Sequence, residues 1–116
     1  MTSGTPFRQG DVVLVPVPFT DLKEAKQRPA LVISNDAHNS KVEDVVVCGI
    51  TSNIKDEEYS IILEQKDMAE GDIHFLSRIK ADKLFTLQKT IIKRKLGKVN
   101  KSILERTKQE VQKLVQ

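Results

Sequence analysis

Arg28 and Thr51 are the two side chains of this 116-residue chain whose types and settings best suit chemistry on a phosphodiester. Arg28 leads into ProAlaLeuValIle and Thr51 follows ValCysGlyIle, so each stands where a polar segment meets an apolar one. If the two apolar runs are neighbouring strands, a guanidinium and a hydroxyl meet at one rim of the sheet. A guanidinium is permanently charged and donates in a planar fork that matches a phosphate. It can therefore stabilise the charge that develops during transesterification. The Thr51 hydroxyl would hydrogen-bond the same phosphate. Arg at a strand start and Thr at a strand end are also ordinary structural choices. The residue types alone leave the pair open.

Other reactive groups fit chemistry less well. Cys48 lies inside ValValValCysGlyIle, where a small buried hydrophobe is expected rather than a nucleophile. His38 falls in a polar turn, and His74 stands next to Phe75 with no defined role. Glu64, Gln65 and Lys66, with Asp44 or Asp56 upstream, form a pattern that holds Mg²⁺ in some nucleases. The pattern is short and arises easily by chance among 16 carboxylates. Two His and one Cys fall short of the soft ligands a zinc site gathers. No metal or other cofactor is therefore expected. The acidic trio Asp56, Glu57 and Glu58 reads as a solvated turn that would repel RNA.

The elements that must position these groups can be read from composition and pattern. The length fits one domain, residues 1–116, with enough chain for a core unaided by disulfides. With no Trp, one Tyr and four Phe, that core must be built from Val, Ile and Leu, whose branching favours pleated sheet. A lone Cys48 and the lack of a signal-like start point to a cytoplasmic protein, and no apolar run is long enough to span a bilayer. Net charge is +3, but residues 1–72 hold 7 basic and 13 acidic side chains while residues 73–116 hold 12 and 3. The halves thus carry −6 and +9. Lys80, Lys83, Lys89, Lys93, Arg94, Lys95 and Lys98 form the expected basic footprint, suited to a phosphate backbone or an acidic peptide.

Residues 1–9 read as a flexible tail. AspValValLeuValProVal (11–17) is a β-branched strand in which Pro16 argues for an edge or an end. The polar stretch 18–27 is longer than a tight hairpin needs and is a candidate functional loop, with Phe19 as its one aromatic for base stacking. Strands are expected over 30–34, 42–51 and 59–63, with Gly49 marking a bulge or close approach. Turns are expected over 35–40 and 65–72. Segment 75–87 is either a bent strand or a short helical turn. A last short strand runs from Ile91 toward Leu96, ended by Gly97. Asn100 then caps a helix to residue 116, in which Ile103, Leu104, Thr107, Val111, Leu114 and Val115 recur at helical spacing. Five or six strands and one amphipathic helix predict a mainly β fold, a small antiparallel barrel plugged by the C-terminal helix.

GlyAspValValLeuValProValProPhe (10–19), GlnArgProAlaLeuValIleSer (27–34), IleThrSer (50–52), LysAlaAspLysLeuPheThrLeu (80–87) and LeuGlyLysVal (96–99) together resemble the MazF/PemK family of toxin ribonucleases. The resemblance covers nearly the whole chain. It implies an SH3-like barrel of the CcdB, MazF and Kid type and a homodimer. It also implies metal-independent, sequence-selective cleavage of single-stranded RNA, leaving a 2′,3′-cyclic phosphate, and a cognate antitoxin. The arginine before Pro-apolar and the threonine after the central strand carry cleavage in MazF-like members, and they match Arg28 and Thr51. The Kid-type branch uses an acidic residue with a nearby arginine before LysAlaAspLysLeu. Here that region reads HisPheLeuSerArg (74–78), without a carboxylate.

On this reading Arg28 stabilises charge rather than acting as a base, because a guanidinium keeps its proton. The base that activates the 2′-hydroxyl is not assigned. Thr20, Gln27, Ser52, Asn53 and Ser77 are the expected further substrate contacts. The antitoxin is expected to carry an acidic tail that folds across the toxin. The alternative is a CcdB-like toxin that binds a topoisomerase through its terminal helix and has no chemistry.

Overall fold

A computed structural model describes residues 7–17 and 26–116. Seven strands form one antiparallel sheet: β1 Asp11–Val17, β2 Lys26–Val32, β3 Asp44–Thr51, β4 Ser60–Leu63, β5 Met68–Gly71, β6 Ser77–Gln88 and β7 Arg94–Val99. Their spatial order is β4-β6-β3-β2-β1-β7-β5, a curled half-barrel. Helix α1 spans Asp36–Lys41 between β2 and β3, and helix α2 spans Lys101–Val115 at the end.

The sheet is apolar on both faces, which is why its central strands read as near-continuous hydrophobic runs. On one face Val12, Leu31, Cys48, Ile50, Ile61, Leu63, Ile79 and Val99 pack with Ile103 of α2. On the other, Val13, Val15, Ala30, Val32, Val45, Val47 and Leu87 pack with Ile92. Consecutive residues of one strand therefore enter different cores, as the two-residue period of a pleated strand requires.

Several expectations are corrected. Residues 35–40 are not a simple turn: Asn35 Oδ1 accepts from His38 N at 2.8 Å and caps α1. Residues 65–72 hold a short 3₁₀ turn (Gln65–Asp67) and then β5. The turn closes because Asp67 Oδ2 accepts from Glu64 N at 2.9 Å. β2 starts before Pro29, so Arg28 lies within the strand rather than at its start. Segment 75–87 resolves as a strand from Ser77 onward, β6, with Phe75 and Leu76 before it. The last strand begins at Arg94, after a 3₁₀ turn at Lys89–Ile91, and Gly97 lies inside it. The reason is backbone proximity: a Cβ on Gly97 would sit 2.3 Å from the Glu70 carbonyl oxygen, so β5 and β7 close only over a glycine. With β5 counted, the strands among the described residues number seven.

Other features follow the pattern. Pairing of β7 with β1 ends at Leu14, so Pro16 lies where β1 has lost its second neighbour and no ladder donor is needed there. Asn100 Oδ1 accepts from Ile103 N at 2.9 Å, capping α2. Ile103 and Thr107 of that helix are buried, but Leu114 and Val115 are exposed, so the expected apolar stripe packs only over its first half. Of the expected flexible tail 1–9, residues 1–6 lie outside the described residues, as does most of the loop at 18–27, whereas Phe7 packs against the core and Arg8 and Gln9 hydrogen-bond Asp36.

Candidate functional site

The pairing of β2, β3 and β6 sets two rows of side chains. β2 and β3 pair from Val32 with Val47 to Ala30 with Gly49. β3 and β6 pair as Thr51 with Arg78 and Gly49 with Lys80. Because side chains two apart share a face, Thr51 and Arg78 form one row, and Ala30, Gly49 and Lys80 the next. Arg28, two residues before Ala30, lies just past the end of the β2–β3 ladder, and it shares a cavity lining with Thr51.

The row ends in a cavity of about 470 Å³ lined by Arg28, Pro29, Gly49, Ile50, Thr51, Asn53, Glu57, Lys80, Asp82, Lys83, Leu84 and Phe85. It opens because β6 departs from regular pairing just there. Opposite the consecutive residues Cys48 and Gly49 stand Leu84 and Lys80, so Ala81, Asp82 and Lys83 bulge out of the ladder. Gly49 faces that bulge, and a Cβ there would lie 3.6 Å from Lys83 Cβ. The expectation of an irregularity at Gly49 is met, with the extra residues on the partner strand.

Each polar group in the site has a physical setting. Thr51 Oγ1 accepts from Asn53 N at 3.1 Å, which leaves the hydroxyl proton to donate elsewhere. Arg78 is nine-tenths buried, donates from Nη1 to Ser60 Oγ at 3.1 Å and lies 3.4 Å from the exposed Asp56 carboxylate. Lys80 is equally buried, hydrogen-bonds Glu57 and lies 3.6 Å from Asp82. Held by the Lys80 ammonium, and aided by Lys55 and Lys83, the Glu57 carboxyl titrates below its usual range. The loop 52–59 is fixed further where Ser60 Oγ donates to the Glu57 carbonyl at 2.5 Å, and where Tyr59 adopts a positive φ of 57°.

The acidic trio is thus not a free solvated turn. Asp56 and Glu57 are seated on two buried cations, and this loop brings a carboxylate to the rim from outside the segment 74–78. Sequence reasoning missed Glu57 and Arg78 as parts of the site. The signal was the alternation Arg78-Ile79-Lys80, two cations on one face of a strand whose centre is core.

Of the other expected contacts, Asn53 lines the cavity, its Oδ1 accepting from Lys55 N at 3.2 Å. Gln27 and Ser52 are exposed but do not line it. Ser77 is buried and its hydroxyl donates to the Phe75 carbonyl at 2.7 Å, so it offers nothing to a bound strand. Thr20 and Phe19 lie outside the described residues. Cys48 is fully buried and its thiol is pushed up to about 12 by burial, which keeps it inert. Lys66 pairs with Glu64 at 3.6 Å while Asp56 attends Arg78, so the Mg²⁺ pattern is not assembled.

The basic footprint is split. Lys80 is neutralised, Lys83 lines the cavity and Lys89 donates to the Asn39 carbonyl. Lys93 and Arg94 are exposed beside β7 and at its start, whereas Lys95 serves Asp11 at 3.4 Å and Glu70 at 3.6 Å. Three strands separate β7 from β6 in the sheet. Among the described residues no helix is long and apolar enough to cross a membrane.

Comparison with known proteins places the chain in a family and agrees with its fold. A sequence model of the family described as PemK-like, MazF-like toxin of type II toxin-antitoxin system matches residues 8–115. No curated protein shows significant sequence similarity to the chain. An endoribonuclease solved in complex with its cognate antitoxin, from a mycobacterial species, is similar in structure at a TM-score of 0.77 and 21% identity, over 95% of this chain and 94% of that one. A second mycobacterial endoribonuclease gives 0.78 and 19%, over 99% and 95%. MazF from Deinococcus radiodurans gives 0.75 and 20%, over 97% and 98%.

Proposed function

The chain belongs to the PemK-like, MazF-like toxins of type II toxin-antitoxin systems, and from that premise we propose that it is an endoribonuclease. It cleaves single-stranded messenger RNA in the cytoplasm, at selected sequences and without a metal ion. Cleavage proceeds by attack of a 2′-hydroxyl on the adjacent phosphate. The observation that carries this reading is the placement of Arg28 and Thr51 in one cavity. A phosphate there meets the Arg28 guanidinium, whose fixed charge offsets the negative charge gathering on the phosphorane. The free proton of the Thr51 hydroxyl orients a non-bridging oxygen of the same phosphate. The cavity wall offers Pro29, Leu84 and Phe85 as an apolar bed for a base and Asn53 as a polar edge. The active form is a homodimer, and a cognate antitoxin with an acidic tail competes with RNA for the toxin.

Incubation of the purified protein with a mixed RNA pool in EDTA, followed by sequencing of the ends, tests the reading. Cuts at a recurring motif, with 2′,3′-cyclic phosphate and 5′-hydroxyl termini, are the expected result. An absolute need for Mg²⁺, or an intact RNA pool together with inhibition of a topoisomerase, would overturn it.

A further inference from the structure

The geometry points to Glu57 as the general base that takes the proton from the attacking 2′-hydroxyl, an assignment that rests on the ribonuclease reading above. Arg28 and Thr51 can hold a phosphate but neither accepts a proton near neutral pH. Among the described residues that line the cavity, only Glu57 and Asp82 carry a group that does. Neither histidine lines it: His38 sits on α1, and His74 precedes β6.

Glu57 is the better placed of the two carboxylates because it is anchored from both ends. Its side chain is held by Lys80, whose row adjoins that of Thr51 and lies roughly 7 Å along the strand, one side-chain repeat. Its backbone carbonyl is held by Ser60, which in turn accepts from Arg78, the cross-strand partner of Thr51. Phosphate site and carboxylate are thereby tied to one another through β6. Lys80 engages Oε1, which leaves Oε2 to accept. Gly49, the cross-strand partner of Lys80, has no side chain to block the approach.

In the step, Glu57 takes the 2′-hydroxyl proton as the 2′-oxygen forms its bond to phosphorus. The bond from phosphorus to the 5′-oxygen breaks, and that oxygen leaves with a proton from water. The hydroxide so formed removes the proton from Glu57, so the products are a cyclic phosphate and a 5′-hydroxyl with no net change in the enzyme. The charged groups facing Glu57 are Lys80, Asp82 and Lys83 of β6, Arg28 of β2, and Lys55, Asp56 and Glu58 of its own loop. On its outer side are Glu110 and Lys113 of α2. With cations nearest, the carboxylate stays ionised from neutral pH down to below the usual glutamate range.

Single-turnover cleavage of a synthetic RNA bearing the mapped motif, and binding of the same strand with a 2′-deoxy group at the cut, test the assignment. Glu57→Gln should lower the cleavage rate by about 10²–10⁴-fold while its affinity for the uncleavable strand stays within about threefold, a split that a base predicts and a binding group does not. The acid limb of the wild-type pH–rate profile should vanish in the residual activity of the variant, and Glu57→Asp should restore part of the rate. Asp82→Asn, which removes only the second partner of Lys80, should cost far less. Undiminished cleavage by Glu57→Gln would overturn the assignment alone, as would tighter RNA binding with an unchanged rate, the sign that this carboxylate merely blocks the cations. A wild-type protein that neither binds nor cuts RNA would overturn the ribonuclease reading and this assignment with it.

Discussion

Thr51 of β3 and Arg78 of β6 are direct cross-strand partners, and Arg28 of β2 lines the same cavity as Thr51. Thr51 thus has one guanidinium beside it across the ladder and another in the cavity it lines. One of them lines the open cavity, and the other is buried and held by Ser60 and Asp56.

If Arg28 and Thr51 address one phosphate, as proposed, their removal should not add. Arg28→Ala and Thr51→Ala are each expected to lower the cleavage rate by about 10²–10³-fold, with the double variant little worse than the more damaged single. Steady-state cleavage of the mapped RNA checks this, and near-multiplicative losses would mean two separate sites.

Lys93 and Arg94 do not line the cavity, and β1 stands between β7 and the cavity strand β2, so these cations suit the antitoxin better than the scissile strand. Charge reversal at Lys93 and Arg94 should weaken antitoxin binding at least tenfold and flatten its salt dependence, while RNA cleavage persists. Lys95 is left intact in this variant because it serves the buried Asp11. Titration calorimetry across ionic strength reads the effect. Unchanged antitoxin affinity would reduce these residues to solvated surface.

Gly97→Ala forces a methyl group to within 2.3 Å of the Glu70 carbonyl and 2.8 Å of Met68 Cε. Stability should fall by about 1–3 kcal/mol, seen as a lower urea midpoint at unchanged slope.

Cys48 is expected to resist iodoacetamide at pH 8 in the folded protein and to react fully once unfolded, because burial keeps it a neutral thiol. Fast alkylation of the native protein would show that β3 is open to solvent.

The parts legible in the sequence were those written in local pattern. The β-branched runs around Val13, Val32 and Val47 announce strands, and Asn100 followed by Ile103 and Thr107 announces a capped helix. Arg28 and Thr51 were visible because they end apolar runs. What stayed hidden depends on register and on loop reach. Nothing near Glu57 in the sequence says that it will sit on Lys80, 23 residues away. Likewise β5 is four residues with only Met68 partly covered, so it lacks an apolar pattern and is a strand only because β7 offers it an edge. Gly97 looked like a terminator because a glycine needed for backbone contact and one that ends a strand are the same letter.

The two-sided apolar character of the sheet has a consequence for folding. Where one face is wet, a slip of one residue exposes the core and is strongly penalised, but here a slipped strand would trade one oily layer for another. Correct alignment must therefore be enforced by the irregular positions. A misaligned β3 and β6 would drive Arg78 and Lys80 into hydrocarbon without Asp56 and Glu57 to meet them, and a misaligned β5 and β7 would press a side chain where only Gly97 fits. Arg78 and Lys80 thus serve as alignment marks as well as seats for the loop carboxylates, so variants at these two positions should fold more slowly and populate wrong pairings on the way.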